Sequence, residues 1–119
     1  MKTNGRTTKI NDEIKRVVSS LVQFEIKDPR INAVLLSVLK VETTTDLKLC
    51  KIYVSVFGDE AQKKNALDGL KNASGYIRKE LADIIDLRHT PELRFMLDET
   101  AEYAMKMDAL MEKLRAEEI

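Results

Sequence analysis

A chain of 119 residues, 44% hydrophobic and 34% charged, is long enough for one domain with its own core and too apolar to be disordered over most of its length. Its 20 basic and 20 acidic residues cancel, so composition alone announces no nucleic-acid binder, and a single cysteine, Cys50, excludes an intramolecular disulfide or a cysteine-rich zinc site. No stretch approaches the roughly 20 apolar residues of a membrane span and the first residues hold no signal-like apolar run, so a cytoplasmic, reducing location and no membrane contact are expected.

Charge is unevenly placed. Residues 1–97 carry 17 Lys/Arg against 13 Asp/Glu, whereas residues 98–119 carry 3 against 7, so a basic body joins an acidic terminal segment.

After a polar arm, Ile10, Ile14, Val17, Val18 and Leu21 recur at three- and four-residue spacing and predict an amphipathic helix from Thr8 to Ile26. Pro29 in "KDPRI" disfavours helical backbone at Asp28, so a turn is expected there. The β-branched runs 33–43 and 47–58, separated by Thr44-Thr45-Asp46, read as an antiparallel hairpin. In the second run Cys50, Ile52, Val54 and Val56 should face the core, with Lys51, Tyr53 and Ser55 outward. The first run is apolar on both faces and is expected to be the more buried strand.

Asp59 and Gln62 form a variant capping box for the next helix. Ala66, Leu67, Leu70, Ala73, Ile77, Leu81, Ile84 and Ile85 then keep helical register straight through Ala73-Ser74-Gly75. A glycine in a helix interior costs about 1 kcal/mol relative to alanine. The preserved register favours a kink over a loop, with Gly75 permitting the bend. Residues 87–98 return to an extended segment with Pro91 at its start, read as an edge strand. Tyr103, Met107, Leu110, Met111 and Leu114 mark a last amphipathic helix with an acidic first turn. The order predicts an α+β domain of three strands with helices on one face.

Enzyme signatures are thin: there is one histidine, His89, in a polar loop, and no nucleophile elbow, P-loop or dinucleotide-binding motif. The carboxylate pairs Asp59-Glu60 and Asp98-Glu99 lie at helix starts, where capping explains them. Neither metal nor cofactor is expected. Cations favour nucleic acid instead. Lys71 precedes the kink, Arg78 and Lys79 follow it, and the first amides of the second half-helix could meet a phosphate. Lys9, Lys15 and Arg16 of the first helix, with Lys27 and Arg30 at the turn, form a second set.

"KDPRI", "DLKLCKIYVSVFG", "NASGYIRKELA" and "LRHTPELRFMLDET", in this order over about residues 7–112, resemble the ribosome-binding factor A family. The resemblance implies a KH-like fold of type II order, helix-strand-strand-helix-kink-helix-strand, in which an Ala-x-Gly kink, here Ala73-Ser74-Gly75, replaces the usual Gly-x-x-Gly loop. It implies a non-enzymatic factor that binds the free, immature 30S ribosomal subunit and its 16S rRNA, supports processing of the RNA 5′ end, aids growth in the cold, and is released with the help of an assembly GTPase. The kink should then present Ser74, Gly75, Arg78, Lys79 and their neighbours to structured RNA, with few exposed aromatics for base stacking. The sequence departs from the family at Cys50, where a small residue such as alanine is usual, and at Ala104, where glycine is frequent; a long basic C-terminal tail is not expected.

Residues 1–98 are therefore expected to form the RNA-binding domain and 99–119 a terminal helix, in a monomer, since no heptad pattern is present. A rival reading makes the chain a protein-interaction adaptor that uses the last helix's stripe; the same stripe could instead cover the domain's own core.

Overall fold

The computed structural model describes residues 5–85 and 89–117, the side chains of 5, 6, 101–103 and 117 excepted. Residues 1–4 of the expected N-terminal arm, Leu87 and the side chain of Tyr103 lie outside the described residues; residues 5–7, expected in the arm, are already helical. Helix α1 spans Gly5–Ser20 and continues as a π-helical turn, Leu21–Glu25; α2 is a single turn, Pro29–Asn32. Strands β1 (Leu35–Thr43) and β2 (Leu49–Phe57) precede α3 (Glu60–Asn72) and α4 (Ser74–Ile85), then β3 (Glu92–Leu97) and α5 (Thr100–Glu117).

The sheet order is β1-β2-β3, with β1 antiparallel and β3 parallel to β2. The parallel step is the geometric reason for α3 and α4, because a parallel neighbour needs a long crossover, here a helix pair. One face of the sheet carries Cys50, Ile52, Val54 and Val56 of β2 and Leu93 and Phe95 of β3, all buried against α1, α3 and α4. Burial pushes the Cys50 thiol up to about 11, so it is a protonated core group at neutral pH.

β1 corrects the expectation that it would be the more buried strand. It lies at the sheet edge, while β2 is central. Its apolar composition on both faces reflects Leu35 and Leu39 standing in solvent, not deeper burial. The β1–β2 register also slips between Val38 and Lys40, a bulge that leaves Leu39 outside the ladder. β3 is an edge strand, as its proline predicts.

The turn at Pro29 is itself helical, which the sequence reading missed. Asp28 caps it, its carboxylate accepting from the Arg30 N–H at 2.9 Å, and proline at the first position needs no donor. The Asp59–Gln62 capping box forms as expected, with both reciprocal bonds present. Ile84 breaks the expected apolar stripe: it is 56% exposed, while Ile85 beside it packs against the core.

α5 leaves the body. Every described side chain from Ala104 to Ala116 is exposed, so Met107, Leu110, Met111 and Leu114 do not cover the core. Its start is tied down by Lys63, a buried lysine of α3 whose Nζ lies 3.3 Å from Glu99 and 3.8 Å from Glu60. Asp98 accepts from the Thr100 N–H at 2.9 Å.

Two polar groups in the core have opposite situations. Asn11 of α1 accepts from the Thr43 N–H at 3.0 Å and so fastens the helix to the end of β1. The Thr43 hydroxyl makes no hydrogen bond of good geometry; its neighbour is the Cys50 thiol opposite, a weak partner. Asn11→Ala should therefore cost about 1–3 kcal/mol in urea unfolding, because a buried N–H is orphaned. Thr43→Val should be neutral or stabilise by up to about 1 kcal/mol in the same measurement, because only a poorly paired hydroxyl is lost.

Candidate nucleic-acid interface

The kink is a single residue long. Ala73 ends α3 with φ −82° and ψ −3°, still near helical backbone; its N–H donates to Gly69 O at 3.0 Å and its carbonyl accepts from the Ile77 N–H at 2.9 Å. Ser74 donates its hydroxyl to Leu70 O at 3.2 Å, a back-bond that bends helices. Ala66, Leu70, Ile77 and Leu81 are completely buried on either side of the bend, with Ala73 half-buried between them. The break between the two helices thus falls at Ala73, beside the Ser74 back-bond.

Gly75 meets neither a positive φ nor a crowded approach that would require a glycine. No glycine among the described residues has a positive φ, Gly75 is exposed, and a Cβ built on it would meet nothing within 4 Å. Gly69, six residues earlier, is the contrary case: a Cβ there would lie 3.0 Å from Ile31 Cγ1 and 3.2 Å from Asp28 Oδ2, where α2 crosses α3.

The cations fall into three groups. Lys71 and Lys79 stand exposed around the elbow, without a partner among the described residues. Arg78 is also exposed, but its Nη2 donates to Thr90 O at 3.1 Å, and with Lys48 and His89 it lines a cleft between the β1–β2 turn and the start of β3. Leu47 in that turn has φ 60°, the one non-glycine positive φ among the described residues. Lys27 and Arg30 line a second cleft with Glu25, Asp28, Asn72, Ala73 and Tyr76.

Arg30 is not a free cation. It forks onto Asp28 through Nε–Oδ1 at 3.1 Å and Nη2–Oδ2 at 2.8 Å. This pairing and the Arg30 N–H hold the Asp28 carboxyl below its usual range and raise the guanidinium in return. Lys9, Lys15 and Arg16 are exposed on α1 and line neither cleft. Asp12 sits three residues after Lys9 and four before Arg16, so that helix face is mixed in charge.

Sequence reasoning missed Lys48, His89 and Tyr76 as neighbours of the elbow. The first two come from segments far along the chain. Tyr76 follows Gly75 directly and is 43% exposed; with Phe24 and Phe57 also exposed, aromatic surface is more plentiful than expected. Among the described residues no cluster of His, Cys, Asp and Glu could hold a metal ion, and no helix is long and apolar enough to cross a membrane.

A three-stranded sheet with helices on one face and a kinked helix pair between its central strand and a parallel edge strand defines a KH-like domain. The family model for ribosome-binding factor A matches residues 6–111. Ribosome-binding factor A of Clostridium beijerinckii is 49% identical over 112 residues, covering 93% of this chain and 94% of the relative; that of Lachnospira eligens is 47% identical over 113 residues, covering 95% and 86%. The crystal structure of the Thermus thermophilus factor superposes with a TM-score of 0.67 at 27% identity over 76% of this chain and 94% of the other. A homology model of the T. thermophilus factor, fitted into a cryo-EM map of a complex with the 30S subunit, gives 0.61 at 28% identity over 74% and 90%. The chain belongs to the ribosome-binding factor A family.

The two helix glycines should respond oppositely to alanine. Gly75→Ala should stabilise by about 0.5–1 kcal/mol, the helix-propensity gain in open space. Gly69→Ala should destabilise by about 1 kcal/mol or more, because α2 must yield. Paired urea melts check both signs.

Proposed function

We propose that this chain is a ribosome-binding factor that associates with the free 30S subunit in the cytoplasm and meets its RNA at the α3–α4 elbow. The observation that carries the site is Gly75. It is helical and exposed, with open space above it, so its bare backbone is accessible to an approach from outside. Ser74 and Gly75 would lie at the contact, with Lys71 and Lys79 as free cations beside it and Arg78, Lys48 and His89 in the adjoining cleft. Lys27 would contribute from the second cleft, with Arg30 shaping the turn through Asp28, and Lys9, Lys15 and Arg16 would act as an outlying, weaker set.

The family implies the wider role: support for late maturation of the subunit, including the 5′ end of 16S rRNA, with importance in the cold and release by an assembly GTPase. The factor acts as a monomer, without catalysis or cofactor. The T. thermophilus factor, fitted into a map of a complex with the 30S subunit, supports the subunit as target.

Lys71→Glu with Lys79→Glu should weaken co-sedimentation with free 30S subunits at least tenfold at about 0.1 M salt and flatten the salt dependence, since fewer counterions are released. Unchanged affinity in a folded double variant would contradict the placement.

The exposed stripe of α5 favours a second reading, an adaptor that binds protein through this helix. Deleting residues 100–119 keeps the Lys63–Glu99 pair and should change body stability by no more than about 0.5 kcal/mol. Retained 30S binding by this truncation supports the elbow; loss of binding without unfolding supports the adaptor.

A further inference from the structure

The cleft beside Arg78 offers about 420 Å³, a volume in the range of pockets that hold small organic groups. Three segments far apart in sequence meet there: the β1–β2 turn brings Asp46 and Lys48, α4 brings Arg78, and the approach to β3 brings His89 and Glu92. Its walls therefore carry both signs of charge. A phosphate group would gain from the cations and be repelled by the carboxylates, so the lining suits a ligand that presents hydrogen-bond donors on one edge and acceptors on another.

The two acids differ. Asp46 is committed to its own turn, where Oδ1 accepts from the Thr44 hydroxyl at 2.6 Å and from the Lys48 N–H at 3.1 Å, bonds that hold its carboxyl below the usual range. Glu92 is exposed, and its carboxylate has no hydrogen bond or ion pair among the described residues. Its main chain is fixed, because its N–H donates to Lys48 O at 2.9 Å and the residue pairs with Leu49 at the end of the parallel ladder. Arg78 is anchored as well: Nη2 donates to Thr90 O at 3.1 Å, and the other guanidinium donors remain unused among the described residues. One cleft thus holds an unused carboxylate and an anchored guanidinium.

We propose that this cleft binds one unpaired guanine of the RNA. Among the four RNA bases, only guanine presents two adjacent N–H donors, at N1 and N2, to a carboxylate and two adjacent acceptors, O6 and N7, to a guanidinium. Glu92 takes the first edge and Arg78 the second, while Lys48 meets a phosphate of the same strand and the His89 ring lies against the base. Adenine and cytosine each offer Glu92 a single amino group, and uracil offers one N–H between two carbonyl oxygens that repel a carboxylate. The inference rests on the RNA binding proposed above for the adjoining elbow, and it adds base preference to phosphate contacts that carry none.

Short uridine strands with one central guanosine, inosine, adenosine or cytidine, all of equal charge, test this by fluorescence anisotropy on the full chain. Guanosine should bind about fivefold or more tightly than adenosine or cytidine, and more tightly than inosine, which lacks only the N2 amino group. Glu92→Gln leaves one acceptor oxygen where there were two and should bring guanosine level with inosine. Lys71→Glu with Lys79→Glu should weaken all four strands together and leave their ratios unchanged. Equal binding of the four strands, or binding of none, overturns the proposal, as does a guanosine preference that survives Glu92→Gln. Free GMP competing as well as the guanosine strand would keep the base and overturn RNA as its source. The elbow fails by a different result, full 30S affinity in the Lys71 and Lys79 double variant.

Discussion

One apolar stripe holds this domain together. Ala66 and Leu70 before the bend, and Ile77 and Leu81 after it, are all completely buried against the sheet, so two helices that change direction at Ala73 must keep one phase. A connecting loop of arbitrary length would lose that phase and expose a Leu or Ile, at about 1.5–3 kcal/mol for each side chain. The bend is accordingly confined to one residue, with its hydrogen bonds continued through Ala73 and the Ser74 hydroxyl turned back on Leu70. Since the stripe fixes the inner side of the elbow, the outer side is fixed too: Lys71, Asn72, Gly75, Arg78 and Lys79 have nowhere to go but away from the sheet.

Local periods and local bonds are what a sequence displays most openly. Spacing through residues 66–81, the alternation of β2 and the Asp59–Gln62 box are all of this kind, and all are present in the fold. β1 is different, because an apolar run has no period that separates a central strand from an edge strand with exposed leucines. That distinction lies in the sheet order, which is set by the parallel return of β3. Likewise "KDPRI" signals a break but not a helical turn, since Asp28 serves both as a cap and as the partner of Arg30.

The candidate site is legible only along one helix pair. Lys71, Arg78 and Lys79 are neighbours of the kink by number, and they stand beside it. Lys48 and His89 approach through the fold and carry no sequence signal that would join them to the kink. Arg30 reads as a free cation in the sequence and is paired with Asp28 in the structure. Gly75 reads as the hinge, although the backbone there is ordinary; its distinction is the empty space above it.

The central claim is that Gly75 is bare for a partner and not for the fold. The most direct test is the 30S affinity of Gly75→Ala measured beside its unfolding free energy. The account predicts a variant that is at least as stable as the parent yet binds free 30S subunits at least several-fold more weakly. Full affinity in that stable variant would contradict it.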